Sequence, residues 1–258
     1  MRAVAVVSET VRETPSTVTL RFPFDPEVAP GQFVMVWIPG EDEVPMSVSY
    51  TDGPSKGVTI KAMGPTSRRV QSLRPGQPIG LRGPYGNRFD LRARRLLVVA
   101  GGSGAAVLAP AVEQVRAHRG SVTVALGATV RDELLFRERF LRAGARVEVA
   151  TDDGSEGTRG FVTEVVAKLL EKERFDRIWT CGPEVMMQKV AALGAARKIP
   201  VTLAVERWMK CALGICDACA LGPYHVCVDG PLFPAERLVD LPEFARSHRD
   251  ASGCRRPF

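Results

Sequence analysis

Four cysteines near the carboxyl end of the chain have the spacing of a ligand set for a metal centre. They follow the pattern C-x4-C-x2-C-x7-C and are Cys211, Cys216, Cys219 and Cys227. The first three match the C-x4-C-x2-C spacing of plant-type [2Fe–2S] sites, in which a fourth cysteine follows at a greater distance. Gly214, which lies between the first two, suits a loop that turns tightly and points its N–H groups at sulfur. The pattern therefore favours a [2Fe–2S] cluster, a centre that carries single electrons.

Zinc and disulfide bonds are the two other interpretations of the same cysteines. Structural zinc usually takes two C-x2-C or C-x2-H pairs, and this segment has only one such pair. Disulfides need an oxidising compartment, and the first residues lack the long apolar stretch of a secretory signal. His225 lies between the last two cysteines and is an alternative ligand to one of them. The sequence leaves these alternatives open.

The composition of the chain is that of an ordinary globular protein. Its 258 residues are 45% hydrophobic and 25% charged, which suffices for one large domain or two modest ones. The net charge of +6 is spread along the sequence, which argues against a nucleic-acid partner. The longest uncharged run, 96–112, contains three glycines and a proline, so we expect no membrane span. Clustered cysteines without a secretory signal predict a cytoplasmic protein.

Short segments rich in β-branched residues, separated by turn residues, fill the first part of the chain. No long stretch of helical periodicity interrupts them, apart from one short helix expected near 67–73. Many short strands without long helices predict an antiparallel β-barrel over residues 1–92. The predicted strands cover residues 4–7, 16–22, 32–38, 47–50, 57–62 and 78–82.

The pattern changes at residue 93 and stays changed as far as residue 205. Apolar runs such as Leu96–Ala100, typical of buried parallel strands, alternate with segments of helical periodicity. This alternation predicts an α/β domain with a parallel sheet and helices on both faces. The predicted strands cover 96–100, 122–126, 147–150, 177–180 and 201–205, and the predicted helices cover 105–118, 132–142, 163–172 and 184–197. The remainder, 206–258, is predicted to hold the cluster and a tail whose loosely helical apolar residues are Phe233, Leu238, Leu241 and Phe244.

Two motifs follow strands of the α/β domain, at the edge where such sheets bind ligands. The first, between the first strand and its helix, comprises Gly101, Gly102, Ser103 and Gly104. The second, after the fourth strand, comprises Cys181, Gly182 and Pro183. The first motif lies before a helix amino terminus, which attracts phosphate. Each also has a plain structural interpretation, which is tight strand–helix packing for the glycines and a small buried hydrophobic residue for Cys181.

A β-barrel followed by a nucleotide-binding domain with these motifs resembles the ferredoxin–NADP reductase superfamily. The cysteine pattern, followed by Val228-Asp229-Gly230-Pro231-Leu232-Phe233, resembles that of the electron-transfer subunits of class B dihydroorotate dehydrogenase. The resemblance extends over nearly the whole chain. It implies an α+β multidomain protein with FAD on the barrel, NAD on the α/β domain and a [2Fe–2S] cluster at the four cysteines.

The resemblance also implies which residues contact the FAD and the NAD. The flavin motif R-P-x-S appears with Val44 in place of its arginine, and the motif G-x-G-T has Pro65 in place of a glycine. The first change removes a charged phosphate contact and the second a backbone N–H. The implied flavin-binding residues are Pro45, Met46, Ser47, Ile60, Lys61, Gly64 and Thr66. The implied NAD-binding residues are the two motifs above together with Asp153, and Cys181 is expected close to the nicotinamide.

The function implied by the resemblance is electron transfer between NAD(H), FAD, the cluster and a catalytic subunit. That partner contains FMN and oxidises dihydroorotate to orotate in pyrimidine biosynthesis, in a heterotetramer with two copies of each subunit. The residues expected at the docking face are Met209, Leu213, Ile215 and Tyr224. Two alternatives remain, another NAD(P)H-dependent iron–sulfur flavoprotein reductase subunit or, given Val44 and Pro65, a cluster-binding regulatory module without flavin. The sequence does not distinguish NAD from NADP.

Overall fold

A computed structural model describes residues 2–250 and 252–258 of the chain. Its first elements are β1 (Arg2–Val6), β2 (Glu9–Thr14), β3 (Thr17–Pro23), β4 (Phe33–Trp37), β5 (Val44–Tyr50), β6 (Ser55–Lys61), α1 (Pro65–Gln71) and β7 (Pro78–Tyr85). The seven strands form one antiparallel sheet in the order β1-β7-β4-β5-β6-β3-β2. The sheet curls into an open barrel around a core that includes Leu20, Phe22 and Ile60. The predicted barrel and its short helix are confirmed.

The next elements form the predicted parallel sheet. They are β8 (Arg95–Gly101), α2 (Ala105–Ala117), β9 (Ser121–Ala128), α3 (Arg137–Arg142), β10 (Arg146–Thr151), β11 (Thr158–Arg159), α4 (Val162–Lys172), β12 (Arg177–Cys181), α5 (Glu184–Ala196) and β13 (Val201–Ala204). The strand order β11-β10-β9-β8-β12-β13 places β8 at the centre, with later strands added on both sides. The predicted fold class is confirmed.

Two hydrophobic cores lie on the two faces of this sheet. Helices α2 and α3 cover one face, where Phe140 and Trp179 are buried. Helices α4 and α5 cover the other face, and this second core continues into the cysteine segment through Cys219, Cys227 and Phe233. The cysteine segment is therefore packed against the sheet rather than attached by a free linker.

Helix α3 is shorter than the predicted helix over 132–142. A single 3₁₀ turn spans Arg131–Glu133, and the α-helix begins only at Arg137. The chain leaves the helical path at Phe136, whose φ of +63° is left-handed. The Glu133 carboxylate accepts a hydrogen bond from Ser16 of the barrel at 2.5 Å. The first part of the predicted helix is therefore drawn toward the barrel instead of extending α3.

The carboxyl-terminal segment contains short elements only. They are β14 (Ala220–Leu221), β15 (Tyr224–His225), α6 (Val226–Asp229), β16 (Leu232–Pro234), β17 (Ser247–Arg249) and β18 (Arg255–Pro257). Strand β16 pairs antiparallel with β13 and so extends the nucleotide-binding sheet. The loosely helical spacing of the tail does not produce an α-helix, because its first apolar residues form this strand. Phe233, Leu238 and Phe244 are nevertheless fully buried, as their apolar character requires.

No helix in the part of the chain that the structure describes combines the length and the apolarity needed to cross a bilayer.

Candidate redox site

The four clustered cysteines come together as two pairs. The Cys216 thiol donates a hydrogen bond to the Cys211 sulfur, and the Cys227 thiol donates one to the Cys219 sulfur. We call residues 211–219 the cysteine loop. Its tight path is set by left-handed backbone conformations at Ala212 (φ 56°), Gly214 (φ 71°) and Asp217 (φ 55°). The loop thus brings three of the four cysteines together, and the fourth, Cys227, lies on α6 beside them.

Backbone N–H groups of the cysteine loop point at sulfur, as expected from its sequence. Leu213 N lies 3.3 Å and Ile215 N 3.5 Å from the Cys211 Sγ. Burial acts to raise the pKa of the Cys211 thiol, but the hydrogen bonds from Ile215 and Leu213 outweigh it and lower this pKa to about 6. Burial and the hydrogen bond with Cys219 raise the pKa of Cys227 to about 12. The donor set is thus built to stabilise thiolate at Cys211.

The paired cysteines supply a donor set that a binuclear centre can use. Among residues 2–250 and 252–258, no group of three or more histidine, cysteine or acidic side chains is already arranged around one point as metal ligands. Two cysteine pairs provide the four thiolates of a [2Fe–2S] centre, in which each iron takes two protein ligands. All six cysteines of the chain are free thiols. His225 Nε2 lies 2.5 Å from Asp217 Oδ1, so its ring is engaged by a carboxylate rather than by the sulfurs.

The two motifs of the nucleotide-binding sheet are in direct contact. Strands β8 and β12 are neighbours, with Cys181 opposite Ala100. A Cβ on Gly104 would lie 2.2 Å from the Cys181 carbonyl oxygen, so only glycine allows this approach. Gly102 has a φ of +53°, and a Cβ there would meet no atom within 4 Å. The turn therefore packs tightly against β12 at Gly104 and is open at Gly102. It lies where the strand order of the sheet changes direction, which is where such sheets bind ligands.

Cys181 and Asp153 differ in how they relate to this turn. Cys181 is buried, and burial, together with the Glu206 carboxylate, raises the pKa of its thiol well above the ordinary value. It is therefore a neutral thiol rather than a nucleophile. Asp153 is exposed in the loop after β10, a strand that is separated from β8 by β9. A hydrogen bond from the Ser155 hydroxyl at 2.6 Å lowers the pKa of Asp153.

The residues implied for flavin binding lie on two adjacent strands and the start of α1. Pro45, Met46 and Ser47 lie on β5 and are half-buried, whereas the facing residues of β4 are fully buried. The peptide N–H of Gly64 donates to Ser67 Oγ at 2.8 Å, and a Cβ on Gly64 would meet open space. A half-exposed strand beside an open glycine turn is a surface on which a planar ligand can lie.

The remaining implied flavin residues are less open. The Ile60 side chain is buried in the barrel core, and its carbonyl accepts a hydrogen bond from Gln71 at 3.0 Å. Lys61, the next residue, is half-buried at the end of β6. The Thr66 hydroxyl lies 3.4 Å from the Glu41 carboxylate.

Barrel residues also hold the segment that follows the last cysteine. Asn87 Nδ2 donates to the carbonyl oxygens of Leu232 at 2.8 Å and Asp229 at 3.2 Å, and its Oδ1 accepts from Leu232 N at 3.0 Å. A Cβ on Gly86 would lie 2.6 Å from Pro231 Cδ. Asn87 thus forms a hydrogen-bonded cradle for this segment, with Gly86 packed against it.

Met209 and Tyr224 are less exposed than a docking face requires. Met209 was expected on an exposed docking face but is buried, because the chain entering the cysteine loop packs into the sheet core. Tyr224 is half-buried, with its ring centroid 5.4 Å from that of Phe233. Arg82 was not predicted, because a single arginine in a strand carries no signal, yet it reaches the carbonyl oxygen of Cys211 at 2.7 Å.

Models of two protein families match the chain. One, described as the iron–sulfur cluster binding domain of dihydroorotate dehydrogenase B, matches residues 206–239. The other, described as the oxidoreductase NAD-binding domain, matches residues 98–192. The matched ranges contain the four clustered cysteines and the two motifs at the sheet edge.

Curated relatives are similar over almost their whole length. Two of them carry the name probable dihydroorotate dehydrogenase B (NAD(+)), electron transfer subunit. The protein of Thermoplasma volcanium is 43% identical over 249 residues, covering 96% of this chain and 96% of the relative. That of Methanocaldococcus jannaschii is 41% identical over 249 residues, covering 96% and 95%.

Solved structures share the fold. A chain of NADH-dependent reduced ferredoxin–NADP oxidoreductase, studied for flavin-based electron bifurcation, has a TM-score of 0.82 at 27% identity and covers 91% of this chain and 89% of its own. The ferredoxin reductase in carbazole 1,9a-dioxygenase has a TM-score of 0.67 at 19% identity, with 79% and 68% covered.

Proposed function

The chain belongs to the family of electron-transfer subunits of NAD-dependent dihydroorotate dehydrogenase B, and from this membership we propose that it exchanges electrons between NAD(H) and an FMN-containing subunit that oxidises dihydroorotate to orotate. It is an oxidoreductase subunit whose cofactors are FAD, NAD and a [2Fe–2S] cluster. When bound, the FAD supplies the exchange between the two-electron chemistry of hydride and the one-electron chemistry of the cluster. The observation that carries the proposal is the pairing of the three cysteines of the loop with one another and with Cys227, on a loop whose backbone is held by Arg82 of the barrel.

We propose that each cysteine pair binds one iron of the cluster. Cys211 and Cys216 hold the first iron, and Cys219 and Cys227 hold the second. The hydrogen bonds within each pair and the two N–H groups facing the Cys211 sulfur support this assignment. Such N–H···S bonds also stabilise the added negative charge of a reduced cluster.

The sheet edge is proposed to bind the dinucleotide. Gly101, Gly102, Ser103 and Gly104 approach the phosphates through their backbone, beneath the amino terminus of the 13-residue helix α2. Gly182 and Pro183 shape the neighbouring wall, and the neutral Cys181 thiol lies behind the nicotinamide as a soft, uncharged contact. Asp153 is proposed to contact the dinucleotide from the end of β10.

The barrel is proposed to bind the flavin. Backbone and side chains of β5 line one side of the ring, and the open turn at Gly64 admits the phosphates. Because Val44 replaces the motif arginine, we assign the phosphate contact to Lys61, the half-buried cation at the end of β6. The proposed flavin-binding residues remain Pro45, Met46, Ser47, Ile60, Lys61, Gly64 and Thr66.

The proposed domain division is 1–92 for the flavin barrel, 93–205 for the nucleotide domain and 206–258 for the cluster segment.

The apolar surface around the cysteine loop is proposed to dock the catalytic subunit. Leu213 is 58% exposed and Ile215 76% exposed, and Val228 beside Cys227 is 55% exposed. Exposed aliphatic side chains grouped around an exposed ligand, Cys216, are typical of an interface. Two copies of each subunit would form a heterotetramer, and the free thiols suit the reducing cytoplasm.

The test is reconstitution with a dihydroorotate dehydrogenase catalytic subunit and measurement of dihydroorotate-dependent NAD⁺ reduction. Ile215→Asp should abolish this coupled activity while NADH still bleaches the flavin, because only docking is lost. Leu141→Asp, on the helix that covers the opposite sheet face and 40% exposed, is the matched control and should retain activity. A wild-type complex that reduces ferredoxin but never NAD⁺ from dihydroorotate would contradict the pyrimidine assignment.

A further inference from the structure

Arg82, on strand β7, uses all its guanidinium nitrogens across the boundary between the barrel and the cysteine loop. Nη1 donates to the Cys211 carbonyl oxygen at 2.7 Å and to the Tyr85 hydroxyl at 3.1 Å. Nη2 donates to the Lys210 carbonyl oxygen at 3.2 Å, and both Nε, at 3.0 Å, and Nη2 donate to the Glu43 carboxylate. The Arg82 side chain is only 13% exposed. Because the guanidinium is planar, these bonds fix it in one orientation.

The same arginine is connected to the strand assigned to the flavin. Glu43 immediately precedes β5. On β4, Met35 lies opposite Arg82 of β7 on one side and opposite Pro45 of β5 on the other. Arg82 and Pro45 are therefore two strands apart, or about 10 Å. One side chain thus connects the backbone of a proposed iron ligand to the proposed flavin surface.

We propose that Arg82 is a positioning residue that holds Cys211 at a fixed place relative to β5 and favours the reduced cluster through its charge. The inference rests on the proposed function, because it takes Cys211 as an iron ligand and β5 as the flavin strand. An electron added to the cluster makes it more negative, and a cation bonded to a ligand's carbonyl stabilises that state. The Glu43 carboxylate offsets part of this charge, so position and charge are separable by experiment.

Three variants separate the two effects. Arg82→Met removes both the hydrogen bonds and the positive charge, and leaves Glu43 without its partner. Adding Glu43→Gln to Arg82→Met returns the net charge of the pair to zero without restoring the bonds. Arg82→Lys keeps the charge but offers three donors in place of five. Arg92→Met is the matched control, because Arg92 pairs with Asp90 and its side chain is 88% exposed.

Two readouts are needed, both on the full cofactor-loaded chain. The first is the reduction potential of the cluster, from an anaerobic redox titration followed by electron paramagnetic resonance. The second is anaerobic stopped-flow absorbance after mixing with NADH. The hydride brings two electrons to the flavin and the cluster takes one of them, so flavin bleaching and cluster reduction are successive phases.

We expect the potential to fall in Arg82→Met, to recover in Arg82→Lys and to recover in part in the double variant, which lacks both charges. Cluster reduction should slow about tenfold relative to flavin bleaching in both Arg82→Met and the double variant, because neither variant holds Cys211 in place relative to β5. A wild-type rate of cluster reduction in the double variant would overturn the positioning claim, and an unchanged potential in Arg82→Met would overturn the charge claim. A wild-type protein whose flavin NADH does not bleach would instead refute the proposed function.

Discussion

The buried ion pair between Glu184 and Arg207 should dominate the stability of the junction between the nucleotide domain and the cysteine loop. Glu184 is the first residue of α5, directly after the Cys181–Pro183 motif, and Arg207 precedes the loop. Their side chains are 7% and 2% exposed. Both terminal nitrogens of Arg207 donate to the Glu184 carboxylate, and the bond from Nη2 to Oε2 is 3.3 Å long. Glu184 also accepts the N–H of Ala245 at 2.8 Å. One carboxylate thus connects helix, loop and tail.

Replacing Arg207 with methionine leaves a buried carboxylate without its cation. Removing one partner of a buried pair costs about 3–5 kcal/mol. At about 2–4 °C per kcal/mol for a chain of this size, the melting temperature should fall by about 6–20 °C. The assay is thermal unfolding of the cofactor-loaded protein by circular dichroism, with visible absorbance to follow cluster loss.

The double variant Arg207→Met with Glu184→Gln provides the decisive comparison. It removes both charges and keeps a side-chain carbonyl for the Ala245 N–H, so it should be more stable than Arg207→Met alone. Arg146→Met is the surface control, since the Arg146–Glu173 pair is 47% and 28% exposed and should contribute less than about 1 kcal/mol. An Arg207→Met variant that melts within about 3 °C of the wild type would refute the reasoning.

Three further predictions concern the junction, the nucleotide edge and acid stability. Asn87→Ala removes three hydrogen bonds to the turn after the last cysteine. At about 1 kcal/mol for each bond, the melting temperature should fall by about 6–12 °C. An unchanged melting curve would show that these hydrogen bonds do not stabilise the protein. Gly104→Ala forces a Cβ against the Cys181 carbonyl and should abolish NADH binding, measured by calorimetry, so wild-type affinity would refute the packing argument. A hydrogen bond from Arg92 lowers the pKa of Asp90 in the folded protein. The ionised Asp90 therefore stabilises the fold fully above the ordinary pKa near 4, and this stabilisation is lost as the pH falls below that value. Between about pH 6 and pH 3, the melting temperature of Asp90→Asn should therefore fall by less than that of the wild type. Equal falls in the two proteins would contradict the lowered pKa of Asp90.

The parallel sheet was predictable because its strands are buried on both faces and read as continuous apolar runs. Leu96–Ala100 needs no knowledge of its neighbours to be recognised as such a strand. Strand β2 is absent from the predicted set because only one of its six side chains, that of Thr14, is buried, so pairing with β3 rather than burial defines it. The break before α3 was equally hidden, because the bond from Ser16 to Glu133 joins residues far apart in the sequence.

The candidate site likewise has features that the sequence predicts and features that it does not. The cysteine spacing predicts the ligand set because four thiolates within a short loop have few other uses. The glycine motifs predict the ligand-binding edge of the sheet because each is a short continuous segment directly after a recognisable strand. Arg82 and the buried position of Met209 depend on how the loop packs against the barrel and the sheet, which spacing along the chain does not encode.

The central claim is that the four cysteines hold a [2Fe–2S] cluster that NADH reduces through a flavin on the same chain. The most direct test is a visible absorbance spectrum of the anaerobically purified protein before and after adding NADH. The account predicts flavin bands and a broad brown shoulder that NADH bleaches together, with the shoulder missing in Cys219→Ser. A brown protein without flavin bands, unchanged by NADH even after incubation with FAD, would contradict it.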